Sequence, residues 1–208
     1  MTTVPHSRRG PVPSHVAWVS RRADGGPEAP EREERALRAL VDSALDLGVA
    51  RLTVQEPSGG RALRARAAEL ARRGVAVMPA VTAGNRDAGS TADLVGLEAP
   101  ALRVVLAGEG SGRRELVGAL RELASRGVAP KKVRESTISD ALGVPDVDLL
   151  VLTGDDRRVP DLLLWQVAYS EIVVLHDPWP EVSEGQFRAA VDEYQRRDRR
   201  YGGLVAPR

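Results

Sequence analysis

Six short apolar runs, separated by helical patterns and loops, constrain the fold of this chain more than any other feature. The runs cover 15–19, 50–54, 75–78, 102–107, 149–152 and 172–175. Apolar residues recur at helical spacing over 31–47, 61–73, 113–125, 139–142 and 161–170, and a final amphipathic helix is predicted over 184–199. Three of these helices are followed by a glycine at the position of a C-terminal cap, namely Gly48, Gly74 and Gly127.

None of the apolar runs is joined to the next by a hairpin sequence. Strands that are separated by helices pair in parallel through right-handed crossovers. We therefore expect a single layered α/β domain with a mostly parallel sheet of about six strands, flanked by helices. This domain is predicted over 15–203, after a disordered lead-in at 1–14 and before a short tail at 204–208.

The composition excludes several classes of protein. The net charge of +1, from 30 basic and 29 acidic residues, lacks the basic excess that nucleic-acid binding requires. The absence of cysteine excludes disulfides and thiolate metal sites, and three histidines do not suggest a zinc cluster. No apolar run approaches the ~18 residues of a membrane span, and no signal sequence is evident, so we expect a cytoplasmic protein without a transmembrane segment.

A glycine-rich turn over 108–112 joins an apolar run to a helical pattern. Free backbone N–H groups at the start of a helix attract anions, so a phosphate could bind here. The spacing is G-x-G-x-G, however, and the dinucleotide-binding fingerprint requires G-x-G-x-x-G. The pattern therefore favours a tight turn over a nucleotide site.

The stretch 146–180 holds the densest polar signal in the chain. Its first strand leads into Thr153 and a turn with the adjacent basic residues Arg157 and Arg158. Ligands of open parallel sheets bind beyond the carboxyl ends of strands, and two arginines there could hold a diphosphate through charge-assisted hydrogen bonds. A solvated turn, with Asp155 and Asp156 neutralising the arginines, explains the same residues equally well.

Longer segments provide a resemblance. The chain reads LLLWQVAYSE over 162–171, Trp-Pro at 179–180 and RRDRRYGG over 196–203. These segments resemble the cis-prenyltransferases of the undecaprenyl diphosphate synthase family. His-Val-Ala at 15–17 and SGRREL at 111–116 resemble further segments of that family, so the resemblance covers most of 15–203.

The resemblance implies a parallel-sheet dimer that uses Mg²⁺ to condense isopentenyl diphosphate with an allylic diphosphate. It implies a helix at the dimer interface that carries the following residues: Leu164, Trp165, Ala168 and Tyr169.

Site roles also follow from the resemblance. It implies that Arg158, with Arg157 and Thr153, binds diphosphate and that Glu171 helps to hold the metal. The R-x-G formed by Arg200 and Gly202 would reach across the interface to the isopentenyl diphosphate of the partner chain.

The chain departs from the family pattern at its first strand. There the family has an aspartate that anchors Mg²⁺, an ion that prefers carboxylate and phosphate oxygens. An ungapped comparison places Arg21 at that position, and Asp24 is a displaced alternative. Leu152 replaces the arginine that ends the fifth strand. The helix at 61–73 is short and rich in arginine, whereas a long product needs an apolar tunnel, since each buried CH₂ contributes ~0.8 kcal/mol.

These departures lead to one main hypothesis and two alternatives. The main hypothesis is an accessory subunit of the Nogo-B-receptor type, inactive alone, which pairs with a complete cis-prenyltransferase and donates Arg200 and Gly202 in trans, with Mg²⁺ at the composite site. One alternative is a divergent, self-sufficient short-chain isoprenyl diphosphate synthase that uses Asp24. The other is a non-catalytic protein that binds prenyl diphosphates. Homodimer formation and peripheral membrane association stay open.

Overall fold

The computed structural model describes residues 10–20, 29–55, 67–79, 100–107, 112–154, 158, 161–177, 179 and 181–197. The strands are β1 (His15–Ser20), β2 (Arg51–Gln55), β3 (Val75–Pro79), β4 (Leu102–Ala107), β5 (Leu149–Thr153) and β6 (Glu171–Leu175). The helices are α1 (Ala29–Leu47), α2 (Ala67–Arg72), α3 (Gly112–Ser125), α4 (Glu135–Leu142) and α5 (Glu184–Arg196). Each predicted strand is confirmed to within one residue at either end.

The six strands form one sheet in the order β3-β4-β2-β1-β5-β6, and every neighbouring pair is parallel. This confirms the prediction of a single α/β domain with a six-stranded parallel sheet flanked by helices. The chain first builds the sheet on the β2 side of β1 and then continues on the other side with β5. The strand order therefore reverses between β1 and β5.

The main apolar core lies between one face of the sheet and the helices α1 and α5. Trp18 projects from β1 into this core and stacks on Phe187 of α5, with ring centroids 5.7 Å apart and an interplanar angle of 17°. Such an offset aromatic pair adds roughly 0.5–1.5 kcal/mol beyond the area that it buries. A second apolar cluster on the opposite face joins β1 and β5 to Leu162 and Leu163.

The predicted glycine caps are confirmed by backbone geometry. Gly48 and Gly74 both have a φ of 77°, and Gly127 has a φ of 71°. Glycine adopts this left-handed conformation without the steric cost that a Cβ atom would impose. Each of these helices therefore ends where the sequence predicts.

The predicted helix over 161–170 is wrong, because this segment is a series of turns. Leu163 has a φ of 52°, which interrupts a right-handed helix. The hydrogen bonds are also irregular, since the Val167 N–H donates to the carbonyl of Leu163, four residues back, and the Ser170 N–H donates to a carbonyl only three residues back. The interface helix expected from the resemblance is therefore replaced here by an irregular segment with both buried and exposed residues.

Two other predicted helices differ in extent. The helix expected at 139–142 is α4, which already begins at Glu135. For the helix expected at 61–73, the structure describes α2, and residues 61–66 lie outside the described part. No helix among the described residues combines the length and the apolar character that a membrane span requires.

The ends of the described chain are held against the domain. The Gly10 N–H donates to the carbonyl of Gln195 at 2.9 Å, and the Gln195 side-chain amide donates to the carbonyl of Gly10 at 2.8 Å. The carbonyl of Ser14 accepts hydrogen bonds from the backbone N–H groups of Ala50 and Arg51, at the start of β2. Residues 10–14 of the predicted lead-in are thus fixed, whereas 1–9 and the predicted tail at 204–208 lie outside the described residues.

Candidate functional site

The reversal of strand order places a candidate binding crevice at the carboxyl ends of β1 and β5. Ligands of open α/β sheets bind where the strand order reverses in this way. Ser20 and Thr153 end the two strands and are paired in register. The candidate site is therefore built around these two hydroxyl groups.

Ser20 is a site residue that the sequence analysis missed. Its side chain is only 5% exposed, and its Oγ has no hydrogen-bond partner among the described residues. A buried polar group without a partner costs about 1–3 kcal/mol, which a bound ligand would recover. Its place after the apolar run 15–19 was the signal that could have identified it.

Thr153 lies where the sequence predicted a diphosphate ligand. It is buried, and its hydroxyl donates to the carbonyl of Val19 over 3.5 Å, which is long for an O–H···O bond. Gly154 follows with a φ of 87°, and its N–H donates to the carbonyl of Leu175 at 2.9 Å. The chain therefore turns sharply here, and the Thr153 hydroxyl can rotate toward a ligand at little cost.

The predicted basic residues of the site are described only in part. Arg158, five positions after the end of β5, is exposed. Arg157, Asp24, Arg200 and Gly202 lie outside the described residues, so their roles stay predictions.

Leu152 turns away from the site. It is 3% exposed and belongs to the apolar cluster that contains Leu162 and Leu163. A guanidinium in the same orientation would be buried without a carboxylate from that cluster, at a high desolvation cost. The replacement of the family's arginine therefore extends the core of this chain.

Glu171, the predicted metal ligand, lies at the opposite edge of the sheet. It is the first residue of β6 and pairs in register with Leu149, whereas Thr153 pairs with Leu175. At about 3.3 Å per residue, Glu171 is roughly 13 Å from the level of Thr153 along the strands. Its carboxylate accepts a hydrogen bond from Arg197 at 2.9 Å. One chain thus does not bring Glu171 to the candidate crevice, and its metal role stays a prediction.

The residues that the structure describes do not fit a Mg²⁺ site. They contain no group of three or more carboxylate, imidazole or thiolate side chains close enough to hold a metal ion. Asp177 follows β6 at the carboxyl edge, but it is exposed and accepts a hydrogen bond from the side-chain amide of Gln186. No chemical step of these residues is therefore assigned to a metal.

The geometry at the start of α3 favours the interpretation as a tight turn and not as a phosphate site. The Gly112 N–H donates to the carbonyl of Asp161 at 2.5 Å, so this helix N–H is already occupied. A Cβ atom on Gly112 would lie 2.7 Å from the Cβ of Leu164, which requires glycine for close packing. Burial and the charge of Asp161 raise the pKa of Glu115 in the first turn. The preceding residues, 108–111, lie outside the described part of the chain.

The four predicted interface residues form one surface. Leu164 is 38% exposed and Tyr169 is 59% exposed, while the indole N–H of Trp165 donates to the hydroxyl of Ser139 at 2.9 Å. Together with Ala168 they line a cavity of about 340 Å³. The loss of the expected helix therefore does not separate these residues.

His15 lies at the amino edge of the sheet, where its side chain has a structural role. Its Nδ1 lies 3.1 Å from the carbonyl oxygens of Pro145 and Asp146, and its Nε2 lies 2.9 Å from the hydroxyl of Thr53. Burial, assisted by the charge of Arg51, lowers the pKa of His15 to about 4. The ring is therefore neutral at pH 7, with Nδ1 donating and Nε2 accepting.

Comparisons with known proteins agree with this architecture. The sequence profile described as "Putative undecaprenyl diphosphate synthase" matches residues 90–202. "Isoprenyl transferase 2" of Bradyrhizobium diazoefficiens is 31% identical over 95% of this chain and 93% of that protein. A "Trans,polycis-polyprenyl diphosphate synthase ((2Z,6E)-farnesyl diphosphate specific)" of Thermobifida fusca is 30% identical over 96% of this chain and 84% of that protein. The match to the "Isoprenyl transferase" of Rhizobium meliloti is 39% identical but spans only 51% of this chain and 46% of that protein.

Solved structures share the fold. Lavandulyl diphosphate synthase from Lavandula x intermedia superposes with a TM-score of 0.75 at 20% identity, covering 92% of this chain and 99% of that chain. A "probable undecaprenyl diphosphate synthase" from Campylobacter jejuni gives a TM-score of 0.72 at 19% identity, covering 91% and 98%.

Proposed function

Because the chain belongs to the cis-prenyltransferase family of undecaprenyl diphosphate synthases and isoprenyl transferases, we propose that it serves the condensation of isopentenyl diphosphate with an allylic diphosphate. Within that reaction we propose the role of an accessory subunit of the Nogo-B-receptor type. The partner is a complete cis-prenyltransferase subunit, and the condensation takes place at a site that both chains complete.

The separation of Glu171 from the candidate crevice is the observation that carries this proposal. At the carboxyl edge, the described residues offer the hydroxyls of Ser20 and Thr153 and the exposed Arg158. These groups can bind diphosphate oxygens, since hydroxyls donate hydrogen bonds and a guanidinium adds charge. Glu171 is engaged with Arg197 roughly 13 Å away along the strands. In this proposal a second chain supplies the carboxylate that the described part of the crevice does not contain.

The exposed surface of Leu164, Ala168 and Tyr169 supports pairing with such a chain. Large apolar and aromatic side chains that are exposed next to a cavity are typical of protein–protein interfaces. In the proposed complex this surface packs on the partner, and Arg200 and Gly202 contribute to the partner's isopentenyl diphosphate site.

Incorporation of labelled isopentenyl diphosphate tests the proposal. The chain alone should give no product with any allylic primer. The chain together with a complete subunit from the same genome should incorporate more label than that subunit does alone. Arg200→Ala should abolish this gain. Arg126→Ala should preserve the gain, because Arg126 lies just after the end of α3 and forms an ion pair with Glu122 of that helix. Robust turnover by the chain alone would refute the accessory role.

A self-sufficient short-chain synthase is the second candidate. Its self-sufficiency, although not its short product, is favoured by the Thermobifida fusca relative, which is named as a polyprenyl diphosphate synthase and matches 96% of this chain. In that case the chain alone should turn over, and Asp24→Asn should remove the activity. Turnover that survives Asp24→Asn would contradict the role of this aspartate.

A further inference from the structure

Two arginines face each other on neighbouring strands, and no described carboxylate forms an ion pair with either of them. Arg51 begins β2 and is paired in register with Arg103 of β4. Residues paired in this way project from the same face of a sheet. Leu52 and Val104, the next residues of the two strands, enter the main core, so the arginines lie on the other face.

This arrangement is unfavourable for the protein by itself. Like charges that lie directly opposite each other on adjacent strands destabilise a sheet. Both side chains are half-buried, and neither forms a side-chain hydrogen bond or ion pair within the described part of the chain. Burial and the charge of Arg103 lower the pKa of Arg51. Among the residues that the structure describes, the pair therefore has no partner that would compensate its charge.

The neighbouring polar groups do not provide that partner. His15, in register with Arg51, is neutral at pH 7 and has both ring nitrogens occupied. The carboxylate of Asp148 accepts hydrogen bonds from the backbone N–H groups of Ser14 and His15. His15 carries no charge, and Asp148 is not among the groups that shift the pKa of Arg51, so neither of these described groups compensates the pair.

We propose that Arg51 and Arg103 form a binding site for a phosphate-class oxyanion. Planar guanidinium groups match the oxygens of phosphate and can each donate two parallel hydrogen bonds. The site lies at the amino edge of the sheet, roughly 17 Å along β1 from the level of Ser20, and so is distinct from the candidate prenyl diphosphate crevice. It does not depend on the proposed prenyl-transfer function.

Thermal unfolding with sodium phosphate, sodium diphosphate or sodium chloride at equal ionic strength tests this site. At a phosphate concentration about twenty times Kd, the Tm should rise by roughly 4–7 °C over the chloride control. A larger rise with diphosphate would assign two phosphoryl groups to the ligand. Phosphatidylglycerol vesicles test a lipid headgroup, and they should give no rise that depends on the two arginines, because the pair is half-buried.

Variants separate this site from other anion sites. Arg51→Met and Arg103→Met should each lose the phosphate-dependent rise and should raise the Tm in chloride, because each removes a like charge. Arg121→Met, at an exposed residue of α3, should keep the rise. Line broadening of the ³¹P resonance of phosphate should disappear with the same two variants.

Two outcomes would overturn the proposal. One is a phosphate response that survives both substitutions but is lost in Arg158→Met, which would assign the anion to the carboxyl edge. The other is a lower Tm in chloride for both substitutions together with no phosphate response in the unsubstituted protein. That result would mean that an acidic group of the chain itself compensates the pair.

Discussion

Acidification should destabilise this protein through one buried imidazole. His15 is 2% exposed, and its neutral form satisfies two carbonyl oxygens and the Thr53 hydroxyl. Its pKa falls from 6.5 to about 4, first because of burial and then because of Arg51, while Asp148 acts in the opposite direction. Between these pH values the unfolded chain binds a proton that the folded chain refuses. Stability should therefore fall as the pH is lowered from 6.5 to about 4.

The size of this effect follows from the shift in pKa. The fall from 6.5 to about 4 is a difference of about 2.5 units. Each unit corresponds to about 1.4 kcal/mol, so the protein should lose about 3 kcal/mol of unfolding free energy across the window. That is a large part of the roughly 5–15 kcal/mol that stabilises a typical folded protein.

Urea unfolding at a series of pH values from 7.5 to 4 measures the effect. His15→Asn keeps an amide donor for the carbonyl oxygens but does not titrate, so its free energy of unfolding should depend less on pH. His176→Asn, at an exposed position after β6, should retain the dependence of the unsubstituted protein. The raised pKa values of Asp146 and Glu115 act with the opposite sign, and both remain in all three proteins.

The informative quantity is the difference between the unsubstituted protein and His15→Asn. The free energy of unfolding of the unsubstituted protein minus that of His15→Asn should decrease by about 3 kcal/mol as the pH falls through the window. Parallel curves for these two proteins would show that another group controls the acid response and would refute the reasoning.

Two further predictions concern packing and pairing. Gly112→Ala should destabilise the protein by about 1–3 kcal/mol in urea unfolding, because the new Cβ atom would lie 2.7 Å from the Cβ of Leu164. Gly185→Ala is the control and should not destabilise the protein, because its Cβ atom would meet nothing nearer than 3.8 Å. A large loss in both variants would contradict the role of this contact, since helix propensity favours alanine over glycine at both positions. The double substitution Leu164→Ser and Tyr169→Ser should leave the Tm nearly unchanged but prevent co-purification with a complete subunit, whereas Val117→Ser, at an apolar residue of α3 that is 46% exposed, should not. Unaltered co-purification of the double variant would exclude this surface from the pairing.

The positions of the strands in the sequence could be predicted because their signal is local. Their order in the sheet could not be predicted in this way. Apolar runs bounded by glycine and helical patterns are properties of the sequence itself. The lateral order, with β1 between β2 and β5, depends on contacts between distant residues. Ser20 was missed for this reason, since its importance comes from its register with Thr153.

The segment 161–170 shows how tertiary contacts override a local pattern. Its apolar spacing predicts a helix, but the carbonyl of Gln166 accepts a hydrogen bond from the N–H of Val147, and Leu163 adopts a positive φ. The position of Glu171 in the sheet, in contrast, could be predicted from the sequence. A strand predicted directly after this residue places it at the amino edge, away from ligands that bind beyond the carboxyl ends.

The reciprocal hydrogen bonds between Gly10 and Gln195 mean that the chain enters and leaves the described domain at one place. A short linker from Arg197 to Gly10 should therefore close the chain without disturbing the sheet, and new ends could be opened at Gly127, in the turn after α3. Chain ends that lie this close tolerate such a circular permutation in many domains. The fold of residues 10–197 should therefore persist in such a permutant, which would lack the R-x-G that is proposed to act in trans.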